Sequence, residues 1–167
     1  MDPAIRKSTL RMIPYGLYVL TGAGPDGQLA AATVNWVTQA SFEPPLVAVG
    51  VKADSTTHAV IKASRAFALN VLGKDQGAVA YAFFKPVTRD GDTINGSAFR
   101  AGTTGAPILA AVPAWIECEL EEIVERGDHS LFLGRVVAVG AAEAPAGRPD
   151  DLTLTLRDLG EKVFYGG

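Results

Sequence analysis

The chain has 167 residues, with 15 Lys and Arg against 18 Asp and Glu and a formal net charge of −3. Hydrophobic residues make up 48% and charged residues 20%, which suits one domain over residues 1–167 with one filled core and excludes a disordered chain. The basic residues form no patch that would serve nucleic acid, and no apolar run approaches the roughly 18 residues of a membrane span.

The first residues, Met1 to Lys7, carry a basic pair with no apolar stretch behind it, so a secretory signal is not expected and a cytoplasmic location is. Residues 4–13 have mixed polarity and predict a short helix. Leu17–Thr21 reads as a strand, Ala23–Gly27 as a turn built on Pro25 and Gly27, and Gln28–Asn35 as the returning strand of a hairpin. Glu43-Pro44-Pro45 breaks the chain, because two successive prolines donate nothing to a ladder. Leu46–Val51 is apolar throughout and predicts a strand buried on both faces. Asp54, Ser55 and Thr56 are N-cap types and open a helix to about Ser64, with Val60 and Ile61 inward. Phe67–Leu72 is a strand, and Gln76–Phe84 a helix ended by Pro86.

Residues 87–113 are rich in Gly, Thr and Pro and predict an irregular excursion with at most short elements. Trp115–Leu120 alternates, placing Ile116, Cys118 and Leu120 on one face and Glu117 and Glu119 on the other. The sole cysteine, Cys118, is then a packed core thiol. Glu117, Glu119, Glu121 and Glu122 read as a solvated strand face. Leu131–Ala142 is a long strand, apolar on both faces at Leu131-Phe132-Leu133. Glu161–Tyr165 is a candidate last strand. With one Cys and two His, His58 and His129, a structural metal site lacks its usual four N/S ligands, and none is expected. Dominant strands, frequent turns and two intervening short helices predict a mainly β, antiparallel barrel with helices covering its ends; no Gly-rich strand-to-helix fingerprint supports the parallel alternative.

Two segments concentrate polar groups. Thr33-Val34-Asn35-Trp36-Val37-Thr38-Gln39 ends a strand and offers amides and hydroxyls around one indole, which suits a planar heteroaromatic ligand; the plain alternative is a polar strand end with a half-buried Trp. Lys52 followed by Ser55, Thr56 and Thr57 sets a cation and hydroxyls at a helix start, where free N–H groups favour a phosphate; the plain alternative is a capped helix. His58, in the first turn of that helix, is expected to be neutral. His129 follows a Gly127-Asp128 turn and touches a ligand only if that turn faces the site. No nucleophile arrangement is present.

Taken in order, these segments resemble the flavin reductase-like family of FMN-binding split barrels over roughly residues 9–142. The resemblance is carried by Ile13-Pro14-Tyr15-Gly16-Leu17-Tyr18, by Thr33 to Leu46 with its closing Glu-Pro-Pro-Leu, and by Ser55-x-Thr57-His58 with Ile61. It continues through Phe67-Ala68-Leu69-Asn70-Val71-Leu72, Gly105-Ala106-Pro107 and Gly127-Asp128-His129. Within the family, Asn35 to Ser41 looks closer to flavoredoxin and to reductase modules of flavodiiron proteins and rubredoxins than to the commoner Ser-Ser-Phe-Thr-Ser form.

The resemblance implies FMN as the cofactor and NADH or NADPH as the electron donor. It places Thr33, Val34, Asn35, Trp36, Thr38 and Gln39 around the isoalloxazine and ribityl chain, and Lys52, Ser55, Thr56 and Thr57 at the phosphate. His129 borders the face where a nicotinamide stacks. It further implies a homodimer, a possible redox partner protein, and flavin-borne chemistry that needs no side-chain acid or base. Three functions stay open on the sequence: an NAD(P)H-dependent flavin reductase, an electron carrier with tightly held FMN, and a flavin-binding module without turnover.

Overall fold

The structure, a computed structural model, describes residues 1–143 and 147–166. Helix α1 spans Pro3–Leu10; Asp2 caps it, its carboxylate accepting from the Ala4 and Ile5 N–H groups, and Pro3 sits at the helix start, where its missing N–H is no loss. None of its residues is buried, so it adds nothing to the core.

Strands β1 (Tyr18–Ala23) and β2 (Leu29–Val34) form the expected antiparallel hairpin, with Gly27 at φ +81 in the turn. They are followed by β3 (Val37–Ser41), β4 (Leu46–Lys52), α2 (Thr56–Ser64), β5 (Ala66–Val71) and α3 (Gly77–Ala82). Ser55 caps α2 by accepting from the His58 N–H, and Arg65, at φ 60, ends it in the left-handed region. The long strands β10 (Ala114–Glu125) and β11 (His129–Ala141) complete a seven-stranded sheet in the order β2-β1-β5-β10-β11-β4-β3, antiparallel throughout. The two edge strands, β2 and β3, are joined by only Asn35 and Trp36, so the sheet curls until its edges meet at that corner.

Alternation along the strands divides the core. Leu20, Val49, Phe67, Leu69, Cys118 and Phe132 fill one cluster, with Ile61 of α2 pressed onto it. Val19, Leu17, Leu72, Phe83 and Ile94 fill a second, closed from outside by Leu154 and Leu156, and Ala68, Ala106 and Ile108 form a small third. Burial pushes the Cys118 thiol up to about 12, so it is an inert packing group.

Several elements differ from the sequence reading. Residues 87–113 are more ordered than an irregular excursion: β6 (Arg89–Asp90), β7 (Thr93–Ile94), β8 (Ser97–Ala101) and β9 (Pro107–Leu109) pair into a second, four-stranded sheet. Glu117 is not on a solvated face. It is 2% exposed and accepts from the Thr104 N–H and hydroxyl, both at 2.9 Å, because the second sheet covers it; Glu119, Glu121 and Glu122 are exposed as expected. Glu161–Tyr165 forms no strand. The chain returns instead through two single 3-10 turns, Pro149–Leu152 and Leu156–Leu159, and isolated bridges at Thr153 and Thr155. Among the described residues no helix is long and apolar enough to cross a membrane, and no group of three or more His, Cys, Asp and Glu is placed to hold a metal.

Candidate functional site

The corner where β2 passes to β3 opens on a cavity of about 190 Å³. Thr33, Val34 and Asn35 form one wall, Lys52, Ser55 and Thr57 another, and His129 a third. Three local reasons bring them together. The Thr33 N–H and hydroxyl bind the Phe83 and Ala80 carbonyls, which fixes the end of β2 against α3. Ladder pairing sets His129 directly across from Lys52. The cap at Ser55 turns the first turn of α2 toward the same opening.

Charge is placed unevenly. Lys52 is the cation at the mouth, its ammonium 3.0 Å from Asp54 and more than half exposed. The hydrogen bond with Asp54 raises the Lys52 pKa and lowers that of Asp54, so both are charged at neutral pH. The N-terminus of α2 points its free N–H groups to the same end, so an anion there meets both a helix dipole and a mobile charge. The opposite end is apolar, walled by Leu17, Phe83, Phe84 and Leu156. Such a cavity takes a ligand with one anionic end and one flat apolar end.

Four expected residues stand outside the cavity walls. Thr38 and Gln39 are exposed on β3 and bond locally, to the Gln39 and Ser41 carbonyls. Thr56 is exposed at the start of α2. Trp36 lies behind the wall: its ring packs on His129 at 4.5 Å between centroids and on Tyr165 at 5.6 Å. It covers Gly50, where a Cβ would stand 2.9 Å from Trp36 Cε3, so only glycine admits this packing. Its indole N–H is buried and has no hydrogen-bond partner among the described residues.

The two histidines separate as expected. His58 is buried, bonded through Nε2 to the Ser130 hydroxyl at 2.9 Å, and lines no part of the cavity. Burial lowers its pKa, against a smaller opposing pull from Glu125, so it is neutral. His129 faces the site, held by Asp128 at Nδ1 (3.0 Å) and by the Tyr165 hydroxyl at Nε2 (2.8 Å). Tyr165, Phe83, Phe84 and Leu156 are lining residues that the sequence reading missed. Phe83 and Phe84 had a signal, an aromatic pair at the end of the predicted helix. Tyr165 had none, because it reaches His129 across 36 residues of chain.

The family profile for the flavin reductase-like domain matches residues 10–158. The chain belongs to that family. The flavin reductase-like chain is 34% identical to a flavin reductase of Pseudomonas putida over 136 residues, covering 81% of this chain and 78% of that protein. It is 30% identical to an NADH:FMN oxidoreductase of Rhodococcus erythropolis, covering 82% of this chain and 70% of the relative. Among solved structures it is similar to the styrene monooxygenase flavin reductase of Pseudomonas putida S12, with a TM-score of 0.70, 33% identity, and coverage of 83% and 87%. Other relatives are longer: the chain spans 58% and 43% of two Rhizobium meliloti proteins that it matches.

Proposed function

We propose that this flavin reductase-like chain is an NAD(P)H-dependent flavin reductase that takes FMN in the cavity at the β2–β3 corner. The observation that carries this is the cavity's polarity: a lysine and a helix N-terminus at one end, apolar and aromatic walls at the other. A phosphate suits the first and a fused aromatic ring the second. Lys52, Ser55, Thr56 and Thr57 are the phosphate-side groups in this reading. Thr33, Val34 and Asn35 flank the ring and ribityl chain, with Trp36, Thr38 and Gln39 supporting them from behind the wall. His129 borders the nicotinamide face and acts by position, fixed by Asp128 and Tyr165. The flavin, when bound, supplies the hydride and electron chemistry; the protein binds, orients and excludes water.

The curled sheet with its edges meeting at Asn35 and Trp36 is read as the split barrel of the family. The outer face of β11 carries Leu131, Val137 and Val139 at 45%, 37% and 67% exposure, on either side of Arg135 with its ion pairs to Glu119 and Glu121, a partly apolar face that a second copy would cover. We therefore propose a two-fold dimer, working in the cytoplasm and delivering electrons to a separate acceptor; the matched structural neighbour is itself the reductase of a monooxygenase. The deciding experiment is an absorption spectrum of the purified protein with FMN, followed by NADH or NADPH. Bleaching of the flavin by either at a rate that rises with protein concentration supports the reductase. Flavin that binds but bleaches with neither would leave the carrier or the binding module.

A further inference from the structure

We propose that Tyr165 occupies part of the flavin site and must leave before the flavin can enter, so that this one side chain sets flavin affinity. The inference rests on the flavin reading above. Its first support is size. Sites that enclose a ligand of this class run from about 300 Å³ upward, and the cavity offers about 190 Å³. A second, larger groove of about 750 Å³ lies between the end of α1 and the chain's last turns. Both hollows count Leu156 and Tyr165 among their walls. Moving Tyr165 would merge them into one space of adequate size.

The second support is what Tyr165 touches. Its ring lies 5.6 Å from Trp36 and 5.9 Å from His129, and its hydroxyl meets His129 Nε2. It thus covers His129, which a planar ligand ring would otherwise meet, and lies against the Trp36 indole behind it.

The third support is how weakly the segment is held. Tyr165 is 46% exposed. Asn35 donates to the Tyr165 carbonyl at 3.1 Å, and Arg11 donates to the Gly166 carbonyl at 3.1 Å while lying 4.4 Å over the Phe164 ring. No backbone–backbone hydrogen bond ties Phe164, Tyr165 or Gly166 to the rest of the described residues. The seated segment also closes over the Trp36 indole without satisfying it: a Cβ on Gly166 would lie 3.4 Å from the orphaned Nε1. Among the described residues this buried donor has no partner, which opposes the seated state.

A ligand that needs the displaced state binds more weakly by the fraction of time that state is populated; one-tenth open means an apparent Kd about tenfold higher. FMN is titrated without NADH into the wild-type chain, Tyr165→Ala and Tyr165→Phe, and trypsin cleavage after the exposed Lys162 is followed by mass spectrometry. The proposal expects Tyr165→Ala to bind FMN about tenfold more tightly and Tyr165→Phe, which loses only the hydroxyl, to fall between. It also expects FMN to speed cleavage after Lys162 in the wild type. Weaker FMN binding by Tyr165→Ala, or protection of Lys162 by FMN, overturns it, since the segment would then be a contact made with the flavin. If neither wild type nor Tyr165→Ala, both folded by circular dichroism, binds FMN at all, the flavin reading itself fails.

Discussion

Two buried asparagines mark two differently finished regions of the molecule. Asn70, at the centre of β5, is fully buried, and its amide is saturated. It donates to the Val19 carbonyl at 3.1 Å, to the Thr21 hydroxyl at 3.3 Å and to the Pro107 carbonyl at 3.4 Å, and accepts from the Leu109 N–H at 2.8 Å. It stitches the second sheet onto the first. Asn35, at the β2–β3 corner, is 5% exposed, yet among the described residues its side chain makes one hydrogen bond, to the Tyr165 carbonyl, and its neighbour Trp36 has none at Nε1. A polar network with every member paired specifies a fold. A buried polar corner left incomplete is where a ligand can still be bound.

The contrast is sharpest under mutation. Asn70→Ala strips the amide from four partners and leaves the Leu109 N–H without its acceptor in a dry interior, while the Pro107 carbonyl keeps only the Thr21 hydroxyl. An unpaired buried polar group costs about 1–3 kcal/mol, so a loss of about 3 kcal/mol or more is expected, read as a lower urea midpoint. Asn35→Ala removes one bond near the surface and should cost under about 1 kcal/mol of stability while weakening FMN binding. Equal destabilisation by the two variants would break the comparison.

The next effect belongs to the site alone. Lys52 is exposed and makes no core contact, so Lys52→Ala should leave the unfolding midpoint unchanged. A charge-assisted hydrogen bond contributes about 1.5–3 kcal/mol, hence FMN affinity should drop roughly ten- to a hundredfold. Riboflavin, which has no phosphate, should bind as before. Matching losses for both ligands in parallel titrations would remove Lys52 from the phosphate role.

Gly50→Ala tests how the corner is assembled. The new Cβ would stand 2.9 Å from Trp36 Cε3 and 3.1 Å from Trp36 Cβ, so the indole must shift. Overpacking of this kind costs about 1–3 kcal/mol, with the lower end expected because Trp36 is only half-buried. The shift should also show as a change in Trp36 fluorescence, against the unchanged second tryptophan, Trp115. A variant with wild-type emission and stability would mean that Trp36 is not seated over Gly50.

How much of this was legible in the sequence follows the range of the interactions. The hairpin at Gly27, the cap at Ser55, the buried run Leu46–Val51 and the inward Cys118 are set by neighbours in the chain, and all were readable. So was the gathering of Thr33, Asn35, Lys52, Thr57 and His129, through the ordered family resemblance. What failed depended on distant segments. Glu117 alternates like its exposed neighbours and is buried only because the Thr104 turn folds over it. Trp36 sat in the middle of the flavin-facing motif, but which way an indole turns at a strand end depends on Gly50, His129 and Tyr165, none adjacent in sequence.

The smallest expected effect separates the two histidines. His58 is held neutral by burial, which places its folded pKa below the ordinary 6.5; Lys62 adds to the lowering and Glu125, 3.7 Å from Nε2, works against it. The unfolded chain therefore binds the proton more readily than the folded one. The resulting stability is fully present above pH 6.5 and declines as pH falls through the folded value. The carboxylates with resolved shifts do not blur this window: Asp158, held at about 2 by Lys74 and Thr155, titrates far below it, and Asp54, Glu125, Asp128 and Asp150 are lowered by their own cationic or imidazole partners. Urea midpoints measured from pH 8 to pH 5 should fall for the wild type. They should fall less for His58→Gln, which can keep a hydrogen bond to Ser130 and cannot titrate. Should the variant decline as steeply as the wild type, the sensitivity between pH 6.5 and 5 does not come from the buried imidazole.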